Sequence, residues 1–270
     1  MRKLIIPILA ILLVSCQDKE EVNNDNVQQD ALTALVEYTI VNKIFQDVGN
    51  NGGDAVLSSE SSTSGKSASK SELDGPSITV EPLDFTTFPK TITIDYGTGV
   101  LCQDGITRKG IVTIVSTNWY RIEDSQHTAT FDNYYHENFK VEGTHVVKNL
   151  GMNQDSNLEY SVVIENGKVT APTGAVVYYT ENTTRTWIEG SDTPFNIWDD
   201  EYLLNGNQSG VSANGIEYSL TVEESLHFIL LPRGIESGIL DVDIADISDI
   251  KINYTNNTIT IFGQIYPFSS

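Results

Sequence analysis

"DIKINYTNNTITIFG", residues 249–263, alternates apolar and polar residues on both sides of Asn256-Asn257. Alternation puts Ile250 and Ile252 on one face of the first run, and Ile259 and Ile261 on one face of the second. Asn tolerates the positive φ that a tight turn between antiparallel strands demands. The stretch is therefore a hairpin.

The same grammar fills the chain upstream. "TITIDYG", "GIVTIVS", "FKVEGTHVV", "LEYSVVI", "GAVVYYT", "IEYSLTV" and "ILDVDI" all carry a period of two, parted by Gly, Asn and Asp turns. No strand–helix–strand alternation interrupts them. Residues 77–270 read as one antiparallel β meander, so the fold class is mainly β. A fainter signal is an internal duplication, in which "DGITRKGIVTIVSTNWYRIED" lies over "GKVTAPTGAVVYYTENTTRTWIEG". Gly110 then falls on Gly174 and Arg121 on Arg185, and after a three-residue slip Tyr135 falls on Tyr202 and Gly143 on Gly210.

Before the meander, the period changes. Leu32, Leu35, Val36, Ile40, Ile44 and Phe45 recur at helical spacing. Asp30 is placed to cap a helix over residues 30–48, and "GNNGG" at 49–53 to end it. Residues 49–76 then read as a Ser/Gly-rich flexible loop, since "LSSESSTSGKSASKSE" has almost nothing to bury. The helix needs a partner for its apolar stripe, and the β body is the nearest.

The first fifteen residues have another purpose. Arg2 and Lys3 precede the apolar run "LIIPILAILLV", the pattern of an export signal and too short to span a bilayer. The signal ends in "LVSC", which resembles a bacterial lipobox. That resemblance implies lipid on the Cys16 thiol, cleavage before it, and attachment to a membrane through more than one acyl chain. Residues 16–29 read as a tether. The "QDKEE" of residues 17–21 resembles the surface-export signal of Bacteroidota lipoproteins, which implies an outer-membrane, cell-surface address.

Composition narrows the partners. Sixteen Lys and Arg stand against 37 Asp and Glu, a net charge of −21. Such a surface repels phosphate backbones and anionic lipid headgroups, which argues against nucleic acid and against membrane binding through a basic face. Once Cys16 is lipidated, Cys102 is the remaining cysteine, so no intramolecular disulfide is expected. In "YGTGVLCQDG" it reads as a small, half-buried apolar residue.

Several groups invite a chemical reading. Asp95 and Asp104 flank a Gly-rich connection, yet their spacing is not that of a Ca²⁺ loop, and Asp at a turn commonly bonds its own backbone. Asp199, Asp200 and Glu201 sit beside Trp198 and Tyr202, as paired carboxylates of a hydrolase would. In a strand, however, Asp200 points opposite to its neighbours, and a solvated strand end is the simpler expectation. His127, His136 and His145 lie nine residues apart with no metal-ligand motif. No phosphate-cradling loop or nucleophile elbow occurs, so no metal or cofactor is expected. Trp119, Tyr120, Tyr178, Trp187 and Trp198 cluster in the two similar meanders. Outward rings among them could form a platform for an extracellular glycan or protein, and packing across strands explains the same rings without a ligand.

"TITIDYGTGVLCQDGITRKGIVTIVSTNWYR" (91–121) and "TFDNYYHENFKVEGTHVVKN" (130–149) are similar to a family of secreted Bacteroidota lipoproteins. The likeness implies an address and a mostly β fold, and supplies no activity. The leading expectation is a lipid-anchored binding protein. The rivals are a structural or accessory part of an outer-membrane complex and, less favoured, a hydrolase.

Overall fold

The computed structural model describes residues 22–62, 75–191, 193, 199–230, 233–245 and 247–268. The expected signal segment 1–15 and Cys16 lie outside the described residues.

One helix precedes a long meander. Helix α1 spans Val22–Ser62. The first strands are β1 (Ser77–Glu81), β2 (Lys90–Asp95), β3 (Val100–Leu101), β4 (Thr107–Ser116) and β5 (Gln126–His136). The long central strands are β6 (Phe139–Met152), β7 (Leu158–Thr170), β8 (Val176–Glu189), β9 (Glu201–Val211) and β10 (Glu217–Leu230). The sheet closes with β11 (Arg233–Ile244), β12 (Ile247–Asn253), β13 (Thr258–Ile261) and β14 (Gln264–Pro267). All pair antiparallel with their neighbours in chain order, apart from the short β3, which pairs β4 while β2 pairs β4 directly. The meander expected from alternation is the one observed. Its defining hairpin pairs Asn253 with Thr258 and Ile252 with Ile259, with Asn257 at φ 53° in the turn.

This sheet wraps the helix. Ile44, Phe45, Gln46, Asp47 and Val48 are all buried, and five successive helical positions cover the full circumference. The helix accordingly contacts β2, β6, β8 and β11, strands far apart in the sheet. Curvature comes from bulges within the long strands, as between Lys109 and Ile111, Glu142 and Thr144, and Ile164 and Gly167. Gly206, at φ 117°, shows why glycine sits at such bends: a Cβ there would lie 2.4 Å from the Asn182 carbonyl oxygen.

Three expectations are corrected. The helix is 41 residues, not the nineteen of 30–48, and the tether positions 22–29 belong to it. "GNNGG" does not end it, so residues 49–62 are helical and not loop. Glycine usually stops a helix because it costs about 1 kcal/mol relative to alanine. Here close packing overrides that preference, since a Cβ on Gly49 would sit 2.8 Å from Nε2 of the buried His145. The aligned glycines of the supposed duplication also occupy different places. Gly110 is a bulge inside β4, against the Asn133 carbonyl, whereas Gly174 turns the β7–β8 hairpin. What does recur is the hairpin turn. Those at Cys102–Ile106, Asn153–Asn157, Ala171–Ala175 and Ser212–Ile216 share one pair of backbone hydrogen bonds.

Candidate functional site

Along β8, Val177, Tyr179, Glu181, Thr183, Arg185 and Trp187 share the face turned toward α1. At one end of the helix this face meets two hydrogen-bonded polar groups. Tyr38 donates to Gln208 Oε1 at 2.5 Å, and the Asn42 amide donates to the same oxygen at 3.1 Å. Buried Glu181 accepts from the Tyr179 hydroxyl at 2.9 Å and from Thr183 at 2.6 Å.

At the other end the packing opens. Gly49, Asn50, Gly53 and Leu57 of α1 face Tyr160 of β7, Arg185 and Trp187 of β8, and Tyr202 of β9, with Tyr120 and Asp200 beside them. Between them lies a cavity of about 70 Å³. Glycines leave the helix side of this space bare. The tyrosine and tryptophan rings supply flat walls: Tyr120 stacks on Tyr160 with centroids 5.0 Å apart, and Tyr160 meets Trp187 edge-on at 6.0 Å. Tyr120 is fixed from the helix, because its backbone N–H donates to the Glu60 carboxylate.

The polar atoms in this wall lack well-formed partners. Trp187 Nε1, Asp200 Oδ1 and Arg185 Nε are buried with no well-formed hydrogen bond among the described residues; the Trp187 N–H is near enough to the Asp200 carboxyl to act on it, and none of those residues bonds Arg185 Nε. The Arg185 guanidinium stacks over the Tyr202 ring at 5.1 Å and has no ion pair among the described residues. Burial pushes the Asp200 carboxyl up to about 7 and the Tyr120 phenol up to about 12. Unpartnered buried donors and acceptors are uncommon, and several around one cavity mark a place where something else binds, water included.

The five expected aromatics do not form one platform. Tyr120 and Trp187 converge on the cavity. Trp119 lies outside any strand and packs against Phe88 and Phe85 at 5.1 and 6.2 Å. There it covers the ammonium of Lys90, whose donors are taken by the Pro82 and Asp84 carbonyls. That arrangement closes the 82–90 loop. Tyr178 is half exposed on the outer face of β8, its neighbour Tyr179 buried on the inner one, as alternation requires. Trp198 lies outside the described residues.

Other candidates resolve into structure. Asp95 accepts from Gly97 N–H at 2.7 Å and Asp104 from Ile106 N–H at 3.1 Å, so both cap turns. Asp104 also pairs with fully buried Arg108 at 2.5 Å. His136 meets Asp47 of the helix at 3.0 Å, His127 stacks on Tyr120 at 4.8 Å, and His145 abuts Gly49. Asp200 corrects the solvated strand end: it is 6% exposed and lines the cavity, while Asp199 faces solvent. It is the one carboxylate among the described lining residues. Arg185 was not singled out as a site residue. Parity could have found it, since two-residue steps from inward Tyr179 to inward Trp187 pass through it.

The fold and this site define an antiparallel meander wrapped on a helix, with a polar, aromatic-walled cavity at one end. Comparison with known proteins finds no matching family model, no matching curated protein and no matching solved structure.

Proposed function

We propose that the chain is an exported protein of the Bacteroidota lipoprotein type, held to the outer membrane by lipid on Cys16, whose β body binds a small extracellular ligand in the cavity beside α1. The observation that carries the binding reading is that Arg185, Trp187 and Asp200 line one space with buried polar atoms that make no well-formed hydrogen bond among the described residues, Trp187 and Asp200 reaching only toward each other. The orientation of the helix supports it. From Val22 to Gly49 is about 40 Å along a helix at ~1.5 Å per residue, so the cavity lies well along α1 from the end that the anchored segment joins. The ligand is smaller than a glycan chain, or enters with one group only.

An accessory role in an outer-membrane complex is the second reading. Leu83, Phe85 and Ile122 in the connections, with Leu150 and Met152 at the end of β6, are exposed apolar residues at that same end of the sheet.

Ligand-observed NMR against small metabolites of mixed charge tests the binding reading. A Gly53→Leu variant, whose side chain would begin 3.5 Å from the Tyr120 hydroxyl, should abolish the binding by filling the space. Binding that survives this change, or no binding, contradicts the proposal. Loss of fatty-acid-analogue labelling in Cys16→Ala tests the anchor separately.

A further inference from the structure

We infer that the cavity receives the carboxylate group of a small organic acid, with Arg185 as its counter-charge and Trp187 Nε1–H as a second donor; this rests on the reading of the cavity as a ligand site.

Charge is the first reason. A guanidinium cannot shed its proton, and burying one without a counter-ion costs several kcal/mol by the general cost of ion burial. Water can satisfy its N–H groups but cannot neutralise it. Arg185 makes no direct ion pair among the described residues; the Glu181 carboxylate, whose charge acts on it along β8, is already engaged by Tyr179 and Thr183, and Asp200 is not held as an anion by it. A neutral ligand would leave that charge as it is.

Geometry is the second. The planar fork of arginine fits two carboxylate oxygens side by side. The indole N–H is a donor only, and a carboxylate is an acceptor only, so the two match without a choice of tautomer. The Tyr202 ring beneath Arg185 fixes the fork from one side.

Size is the third. A cavity of about 150 Å³ holds benzene, and this one is about 70 Å³. It takes a carboxylate with one or two carbons, and any larger body must project from the mouth. The net charge of −21 repels anions at a distance, so an acid is retained by these local contacts and not by steering.

The test uses two matched pairs on the full chain in detergent: acetate with acetamide, and glucuronate with glucose, titrated by NMR and by thermal shift. The acid of at least one pair should bind about tenfold or more tighter than its neutral twin, equivalent to one charge-assisted contact of ~1.4 kcal/mol. Arg185→Gln should remove that difference while unfolding as cooperatively as the unaltered chain. Should the variant not fold, the comparison of acid with neutral twin on the unaltered chain decides by itself. Equal binding within both pairs overturns the carboxylate inference and leaves the cavity a ligand site. Binding by none of the four overturns both.

Discussion

The two ends of the helix–sheet interface are built from similar residues and differ in what those residues lack. Near Tyr38 the helix packs against Tyr179 and Tyr218; Tyr38, Asn42 and Gln208 bond one another, and Glu181 accepts from Tyr179 and Thr183. Among the described residues, the Gln208 amide nitrogen alone is unpartnered there. Near Gly53 two of the four cavity-lining helix positions are glycine, and Arg185, Trp187 and Asp200 face a cavity with buried polar atoms that make no well-formed hydrogen bond among the described residues. A satisfied buried network rigidifies, whereas an unsatisfied one costs stability. The closed end therefore holds the fold, and the open end spends stability on a site.

Acid should separate the ends most strongly. Burial lowers His127 and His136 to about 4 and His145 to about 3, and all three lie toward the open end or mid-helix. Each imidazole takes up a proton more readily in the unfolded chain than in the folded one. Stability is thus full above about pH 6.5 and falls as pH drops toward 4, by on the order of 3 kcal/mol for each group depressed this far. Urea unfolding at pH 7, 5.5 and 4.5 should show this loss, and hydrogen exchange should show β5 and β6 opening first. A flat profile would remove the histidines from the account. Asp200 has the opposite sign. Its raised pKa makes its contribution present below about pH 4 and lost as pH rises through 7. Asp200→Asn should accordingly raise the melting temperature more at pH 8 than at pH 5, and an equal change at both would contradict the burial of that carboxyl.

The helix glycines sharpen the contrast further. Alanine at Gly49 gains about 1 kcal/mol of helix propensity but forces its Cβ into the His145 ring at 2.8 Å, and overpacking costs about 1–3 kcal/mol. Net destabilisation of about 1–2 kcal/mol is expected. At Gly52 the nearest atom is Ile114 Cδ1 at 3.4 Å, an ordinary contact, so Gly52→Ala should stabilise by about 0.5–1 kcal/mol. Equal effects at the two positions would show that the glycines are not there for close approach.

Much of this architecture is legible in the chain, and the illegible part has a physical cause. Period-two runs bounded by Asn, Asp and Gly locate most strands, and β1 begins at Ser77 where the meander was expected to begin. β5 and β9 are less visible, because "FDNYYH" breaks its alternation at a bulge and "EYLLNGNQSGV" keeps its alternation but carries Gly206 and Gln208 at inward positions. The full length of the helix was hidden by "GNNGG", a stop signal by local propensity that tertiary packing overrides at Gly49. The site was hidden differently. Asp200 and Arg185 carry the side chains of a solvated surface, and nothing local distinguishes a charged residue facing water from one facing a cavity. Only the face it shares with Tyr179 and Trp187 does, and that face is fixed by the strand as a whole.

Removing a polar group at each end tests the central claim most directly. Denaturant unfolding at pH 7 of Tyr38→Phe and Arg185→Met, without added ligand, compares a satisfied network with an unsatisfied one. Tyr38→Phe takes away the hydroxyl that donates to Gln208, and should cost about 1–3 kcal/mol. Arg185→Met takes away a half-buried cation with no direct ion pair among the described residues while keeping an apolar stem, and should leave stability unchanged or raise it. A loss at Arg185 as large as that at Tyr38 would mean that the open end also holds the fold, and would contradict the account.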